Sequence, residues 1–318
     1  MTPAQPETND TTARGRIAQP VSGRALHRLF WKRLRVPRRV VHSALSAAKF
    51  AGNPTQVRLR RALAIDPAVT KSAFADIRSE DGYARFSAGG LQGAEEVVGR
   101  CRDLFEERRG ELSKQAFVLN RNKLFLLSVL AGDDFCQYPE LLRFMVSRPI
   151  LDTATRYLGA VPLLAGANLW WSPPNTTAAA SQLFHTDNED WRQLKVFINL
   201  FDTDEEHGPF TFLPAGVSEG ICARTRYVTG RLSDEQVFSG ASERDLIRLT
   251  GAPGSGAFVD TSRCLHFGSR GNSADRLVLA FQFMRFDSPT ESTSALKVPA
   301  ALGGVEADPI QKLALGWR

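Results

Sequence analysis

The pattern of apolar and polar positions predicts three regions along the chain. Residues 1–23 show no periodicity and are rich in Thr, Pro, Gln and Gly, which is typical of a disordered tail. Residues 24–61 are predicted to form a basic amphipathic extension with two short helices separated by Pro37. Their apolar positions recur every three or four residues, at Leu26, Phe30, Leu34, Val41, Leu45 and Ala48.

Residues 62–318 have the pattern of an ordinary globular domain. A strand is predicted at 82–86, followed by a helix with a buried stripe and by helices near 138–146 and 149–158. The stripe consists of Ala94, Val97, Val98, Cys101, Leu104 and Phe105. From residue 162 onward, short apolar or alternating runs predict strands. They lie at 162–171, 181–187, 193–201, 209–213, 256–260 and 276–286.

Many short strands in succession are typical of a sandwich or a barrel, so the predicted fold class is mainly β with added helices, α+β. Residues 218–250 fit neither pattern and are interpreted as an insertion with one helix. Because such excursions from a rigid scaffold often carry function, this segment is a candidate lid.

Charge is divided unevenly along the chain. The 318 residues carry a formal net charge of +6, yet residues 1–61 hold 13 Lys and Arg against Glu7 and Asp10, a net of +11. The rest of the chain therefore has a net charge of −5, which disfavours nucleic acid as a partner. Three interpretations of residues 24–61 stay open: an anchor on an anionic membrane surface, solvated helices packed on the domain, or an organellar transit peptide.

Cysteine usage and hydropathy indicate a cytoplasmic protein. The four cysteines are far apart and include no CxxC pair, which favours reduced thiols. No apolar run is long enough to span a membrane, and the early acidic residues argue against a secretory signal. The anchor interpretation of the extension would add a peripheral position on the inner face of a membrane.

The segment QLFHTD at 182–187 is the most informative part of the chain. Since side chains alternate along a strand, His185 and Asp187 are expected to point from the same face. A His-x-Asp triplet is common by chance, so a metal site would need a third ligand from elsewhere. His207 lies in a turn where a solvated role is favoured, whereas His266 closes an apolar run and is the better candidate.

Arg276 begins a cleanly alternating strand and shares a face with Val278 and Ala280. A guanidinium on an inward face needs a partner, because a buried unpaired cation is costly. Either a bound carboxylate or an acidic side chain of the protein would meet that need, and the sequence of this strand leaves both open.

Two histidines and one carboxylate on a predicted barrel would leave three metal positions open. This arrangement suits Fe(II), which must bind a co-substrate and O₂. Zinc can use the same donors, but hydrolysis would require a general base and would leave Arg276 without a role. The arginine favours iron with 2-oxoglutarate, whose distal carboxylate it could hold through two parallel hydrogen bonds.

Three motifs together resemble the phytanoyl-CoA dioxygenase-like (PhyH-like) family of Fe(II)/2-oxoglutarate-dependent oxygenases. They are FHTD at 184–187, GPFTFLP at 208–214, and GAFVD at 256–260 leading through His266 to Arg276. The match covers most of residues 75–290. The family often continues from Leu-Pro into Gly-Ser-His, whereas Ala-Gly-Val-Ser follows here, which puts substrate handling nearby in doubt but not metal binding.

The resemblance implies a double-stranded β-helix, a jelly-roll fold of the cupin kind, at about 160–290 with helices packed outside. It implies Fe(II), 2-oxoglutarate and O₂ as cofactor and co-substrates, with His185, Asp187 and His266 binding iron and Arg276 binding 2-oxoglutarate. Together these four would be the catalytic residues. Three further candidates for contact with the co-substrate are Asn168, Trp170 and Lys195.

The function implied by the resemblance is hydroxylation of an unactivated C–H bond in a small or lipid-linked metabolite, with release of succinate and CO₂. The presence of Asp187 disfavours halogenation, because related iron halogenases resemble the family with a small residue at that position. Two alternatives stay open: a membrane-peripheral cupin-like metal-binding protein without turnover, and an oxygenase that acts on nucleic acid.

Overall fold

The computed structural model describes residues 38–119, 125–300, 302 and 304–317. The predicted tail 1–23 and the first predicted helix of the extension lie outside the described residues. The second predicted helix of the extension is present and is the first helix of the described chain.

Eight α-helices occur in the described parts of the chain. They are α1 (Arg38–Gly52), α2 (Pro54–Ile65), α3 (Ala94–Leu119), α4 (Pro139–Met145), α5 (Arg148–Leu158), α6 (Ala215–Arg224), α7 (Asp234–Phe238) and α8 (Pro309–Ala314). Helix α5 ends as its sequence predicts, at Gly159, whose φ of 66° is left-handed and suits a residue without a side chain. None of the described helices is long and apolar enough to cross a membrane.

In the described residues, nine strands form two sheets. They are β1 (Tyr83–Phe86), β2 (Leu127–Ala131), β3 (Leu163–Ser172), β4 (Leu194–Asn199), β5 (Thr211–Phe212), β6 (Ile247–Arg248), β7 (Gly256–Val259), β8 (His266–Phe267) and β9 (Arg276–Met284). The larger sheet has the order β1-β7-β4-β9-β3-β2 and the smaller one β6-β5-β8, with antiparallel pairing throughout.

Strand β9 shows why the larger sheet has two different faces. Leu277, Leu279, Phe281 and Phe283 belong to the main core cluster, which also contains the buried stripe of α3 and apolar residues of α4 and α5. Of the alternate residues, Val278 and Ala280 belong to a second cluster that includes residues of both sheets. The predicted alternation of β9 is therefore confirmed: one face packs on helices, and the other faces the interior between the sheets.

The segment 181–187 differs from the strand that its apolar pattern predicts. A 3₁₀ turn occupies Ala180–Gln182, and the residues after it form only isolated bridges, Phe184 with Leu232 and His185 with His266. Gln182 at the end of this turn is buried, and its Nε2 donates to the carbonyl of Ser269 at 2.6 Å, a long-range contact that the local apolar pattern does not reveal.

Other elements also differ from the sequence-based expectation. The segment 218–250 contains the greater part of α6, all of α7 and the short strand β6, where one helix is predicted. Strands β2 and β8 and helices α2 and α8 have no counterpart among the predicted elements. β2 is short, and its pairing with β3 stabilises it, which a local pattern does not reveal.

The described part of the basic extension packs on the domain. Val41 and His42 of α1 are buried, as are Val57 and Arg60 of α2. The Arg60 guanidinium donates to the carbonyls of Val161, Pro162 and Leu313 at 2.8–3.3 Å. The boundary between the extension and the domain, placed at residues 61 and 62 from composition, falls inside α2.

We expect Arg60→Met to lower the free energy of unfolding by about 1–3 kcal/mol, because the carbonyl groups of Val161, Pro162 and Leu313 lose their hydrogen-bond donor. Arg58→Met, at an exposed position of the same helix, is the matched control and should change stability far less. Urea denaturation of both variants measures the difference. Equal stability of the two variants would contradict the packing role of Arg60.

Candidate metal and co-substrate site

Three side chains converge between the two sheets. One ligand atom from each of His185, Asp187 and His266 lies within 4.8 Å of the others, and the three residues form the metal-binding group found among the described residues. A reciprocal pair of backbone hydrogen bonds sets this geometry: His185 N–H donates to His266 O at 3.0 Å, and His266 N–H donates to His185 O at 2.9 Å. The predicted triad is thus brought together by backbone pairing.

Each imidazole ring has its orientation and tautomer set by a backbone carbonyl two residues earlier. Nδ1 of His185 lies 2.9 Å from Leu183 O, and Nδ1 of His266 lies 2.9 Å from Cys264 O. A carbonyl can only accept, so Nδ1 of each ring carries the proton and Nε2 keeps its lone pair for a metal.

The charge state of the rings also suits metal binding. Burial, followed by the charge of His266, lowers the pKa of His185 to about 3. Burial likewise lowers the pKa of His266, although Asp187 opposes the shift. Both imidazoles are therefore neutral near pH 7, the form that binds a metal.

The Asp187 carboxylate is held mainly through one of its oxygens. Lys195 Nζ donates to Oδ2 at 2.7 Å, and Gln193 Nε2 approaches the same oxygen at 3.3 Å. Oδ1 faces His266 Nε2 at 3.8 Å. Burial alone would raise the pKa of Asp187, but Lys195 and the histidines hold it well below the ordinary value, while the pKa of Lys195 is raised by Asp187 against the opposing effect of burial. The carboxylate is therefore charged.

Arg276 is buried in the wall of the same site. Its Nη1 donates to Gly208 O at 2.9 Å and its Nη2 to Ser172 Oγ at 3.3 Å. Nε has no hydrogen-bond partner, and no carboxylate of the described residues forms an ion pair with the guanidinium. Burial lowers the pKa of Arg276 to about 10, so the group remains cationic near pH 7.

A cavity of about 360 Å³ connects the triad with Arg276. Trp170 and Lys195, two of the residues predicted to touch a co-substrate, line it. The third, Asn168, accepts a hydrogen bond from Ser294 Oγ at 2.8 Å and is not among the described residues of the lining. His207 hydrogen-bonds to Asp204 in a turn, in agreement with its predicted solvated role.

The segment 218–250 reaches the site through its middle part. The backbone N–H of Thr186 donates to the hydroxyl oxygen of Tyr227 at 3.1 Å, and Leu232 N–H donates to Phe184 O at 2.9 Å. Arg231 lies between these two contacts and lines the cavity. The segment is thus hydrogen-bonded to Phe184 and Thr186, the residues on either side of His185.

Sequence reasoning did not single out Gln193, Arg231 or Glu189, all of which lie close to the triad. Gln193 precedes Lys195 by two residues, so the alternation of side chains along a strand places the two on the same face. Glu189 follows Asp187 by two residues, but the chain is not a regular strand there. Arg231 lies in the segment that fits neither periodicity, and only the tertiary structure brings it to the site.

The paired antiparallel sheets, the helices outside them and the site between them define a double-stranded β-helix of the cupin kind, as predicted. No family model matches the chain, and no curated protein matches it.

Two solved structures of EctD from S. alaskensis are similar to this chain. The one with 2-oxoglutarate and 5-hydroxyectoine is 20% identical, with coverage of 77% of this chain and 94% of EctD and a TM-score of 0.53. The apo form is 19% identical, with the same coverage and a TM-score of 0.50. At this identity the similarity shows a shared fold.

We expect Lys195→Met to destabilise the metal-free protein by up to about 3–5 kcal/mol, because it removes the ion partner of the half-buried Asp187 carboxylate. The double variant Asp187→Asn/Lys195→Met should recover much of that loss, since no uncompensated charge is left. Urea denaturation in the presence of a chelator measures the coupling in a double-mutant cycle.

Lys71→Met, at an exposed position, is the control for loss of a lysine. If Lys195→Met were as stable as this control, or if the two substitutions at the site were additive, the ion pair would not hold the carboxylate in place.

Proposed function

We propose that this protein is an Fe(II)- and 2-oxoglutarate-dependent oxygenase. The observation that carries the proposal is the combination of the His185, Asp187 and His266 triad with the buried Arg276 in one cavity. EctD of S. alaskensis, which shares the fold, has been solved with 2-oxoglutarate. Support also comes from the sequence motifs that resemble the PhyH-like family.

The donor set fits Fe(II). Two neutral imidazoles and one carboxylate on one side of a metal leave open positions, which non-haem Fe(II) oxygenases require. Each ring offers Nε2 to a metal because its Nδ1 is bonded to a backbone carbonyl. Lys195 occupies Oδ2 of Asp187, so Oδ1, which faces His266, is the carboxylate oxygen available to a metal. Zinc hydrolysis is less well supported, because it gives the cationic Arg276 no role.

Arg276 would bind the distal carboxylate of 2-oxoglutarate. The guanidinium is fixed by Gly208 and Ser172, and it has no acidic partner among the described residues. A carboxylate would neutralise it within the cavity. Trp170 and Lys195 also line the cavity and would flank the bound acid, as the sequence analysis expects; Asn168 would act only indirectly, through Ser294.

Bound Fe(II) and 2-oxoglutarate would supply O₂ activation, such that 2-oxoglutarate, O₂ and a substrate C–H yield succinate, CO₂ and a C–OH group. The cavity of about 360 Å³ is near the lower end of the range for small-molecule sites. This size favours a small metabolite, or only the reacting part of a lipid-linked one. The segment 218–250 would exclude water as a lid.

Three measurements on the full chain test the proposal. Wild-type protein should bind Mn(II), used as a redox-stable stand-in for Fe(II), and should consume 2-oxoglutarate with Fe(II) and O₂. His185→Ala should lose both properties, because the triad loses a donor. Arg276→Met should keep Mn(II) binding and weaken 2-oxoglutarate binding by at least about ten-fold, as expected for loss of a charged hydrogen-bonding partner.

Equal consumption of 2-oxoglutarate by wild type and His185→Ala would refute the metal-site assignment. Wild-type protein that binds Mn(II) but releases no succinate with any substrate would favour the alternative of a cupin-like metal-binding protein without turnover. The −5 charge of the residues after 61 continues to disfavour an oxygenase acting on nucleic acid.

We propose membrane contact only for the part of the basic extension before α1. Helices α1 and α2 pack on the domain, and Arg60 and Arg61 contact it through Val161 and Asp287. These contacts support the interpretation of solvated helices packed on the body for residues 38–61. The cytoplasm stays the proposed location.

Deleting residues 1–37 should abolish any binding to vesicles that contain anionic lipid while leaving stability unchanged. A longer deletion through residue 61 would remove Arg60 and is unsuitable, because it disrupts contacts of the domain itself. Co-sedimentation at low and high salt measures binding. If the shortened chain binds as well as the full chain, or if neither binds, the membrane proposal fails.

A further inference from the structure

Arg231 is a cation at the edge of the cavity that the reaction described above does not use. It lines the cavity together with the triad, and it lies on the solvent-exposed side. The same cavity is lined by His185, Asp187 and His266. A group bound by Arg231 would therefore lie beside the reaction centre.

The guanidinium of Arg231 is held in a fixed direction. Its Nε donates to Ala180 O at 2.6 Å, and its Nη1 donates to Gly230 O at 2.9 Å. Ala180 has a φ of 53°, a left-handed conformation that is unfavourable for alanine. The strained residue thus presents its carbonyl to Arg231, and Nη2 has no hydrogen-bond partner among the described residues.

The segment that carries Arg231 is itself anchored to the metal ligands. Tyr227 accepts from Thr186 N–H and donates to Gly230 O, and Leu232 bridges to Phe184. These contacts place Arg231 between two attachment points on the chain that flanks His185. An ordinary surface arginine has no such fixation of both its backbone and its guanidinium.

The three cations of the cavity have different partners. Lys195 is paired with Asp187, and Arg276 is the proposed partner of 2-oxoglutarate. Arg231 forms no ion pair with any acid in the part of the chain that the structure describes. Two acids line the cavity, Asp187 and Glu189. Fe(II) and the dianionic co-substrate together add no net charge. With three cations against two acids among the described lining residues, the cavity keeps a positive charge, and Arg231 is the cation without an acidic partner.

We infer that Arg231 anchors an oxyanion of the substrate, a carboxylate or a phosphate, and so selects an anionic small molecule. The inference rests on the proposed function, since it takes the cavity beside the triad as the place of the substrate. A guanidinium is well suited to an oxyanion, and the two bonds to backbone carbonyls through Nε and Nη1 leave Nη2 for a ligand.

Inorganic phosphate and ¹³C-labelled acetate are the two probes. With Mn(II) bound and 2-oxoglutarate saturating, the ³¹P and ¹³C lines of a probe held near the metal are broadened. We expect Arg231→Met to reduce the broadening about ten-fold or more, and Arg231→Lys, which keeps the charge and loses the fixed fork, to give an intermediate value. Arg244→Met, exposed in the same segment, is the control.

Broadening of phosphate alone indicates a substrate phosphate, and broadening of acetate alone a carboxylate; either result supports the anchor, as does broadening of both. Absence of broadening in the wild-type protein overturns the role of Arg231 as an anchor. Equal broadening in wild type and Arg231→Met also overturns it, because the probe is then an adventitious ion only. A ³¹P titration of the metal-free protein measures phosphate binding without the metal. Failure to bind Mn(II) would therefore refute the metal site but not the anion site. Thermal unfolding confirms that each variant is folded.

Discussion

The reciprocal hydrogen bonds between the backbones of His185 and His266 determine the geometry of the site. They join the irregular segment after β3 to the short strand β8, and they bring two ligands that are 81 positions apart in the sequence to ring centroids 4.3 Å apart. Asp187 is then added by its own backbone bond to Thr261 O at 2.8 Å. Because backbone groups make these contacts, the ligand side chains keep their lone pairs for a metal.

Around this arrangement, buried charges are compensated in two different ways. Asp187 has an internal partner in Lys195, which stabilises the carboxylate in the metal-free protein. Arg276 has only neutral acceptors, so part of its charge is left for a ligand. Asp187 is therefore stabilised by the protein itself, whereas the charge of Arg276 would be completed by the co-substrate under the proposed function.

Much of the site could be predicted because it follows short-range rules. The two-residue period gives the common face of His185 and Asp187, even though the segment is not a regular strand, and alternation in β9 gives the inward direction of Arg276. The sequence offers Lys195 only as a candidate for contact with a co-substrate, and its bond to Asp187 depends on the pairing of β4 with β7 and β9. Arg231 and the Arg60 contacts depend on long-range packing, which no local pattern encodes.

The hydroxyl of Tyr227 has a consequence for how the cavity can open. It bonds both to Thr186, which stands between two ligands, and to Gly230, which precedes Arg231. Outward movement of the segment 218–250 would therefore break a hydrogen bond that helps to fix the backbone of the ligands themselves. Opening of the cavity and rigidity of the backbone around the triad are thus linked through this one hydroxyl group.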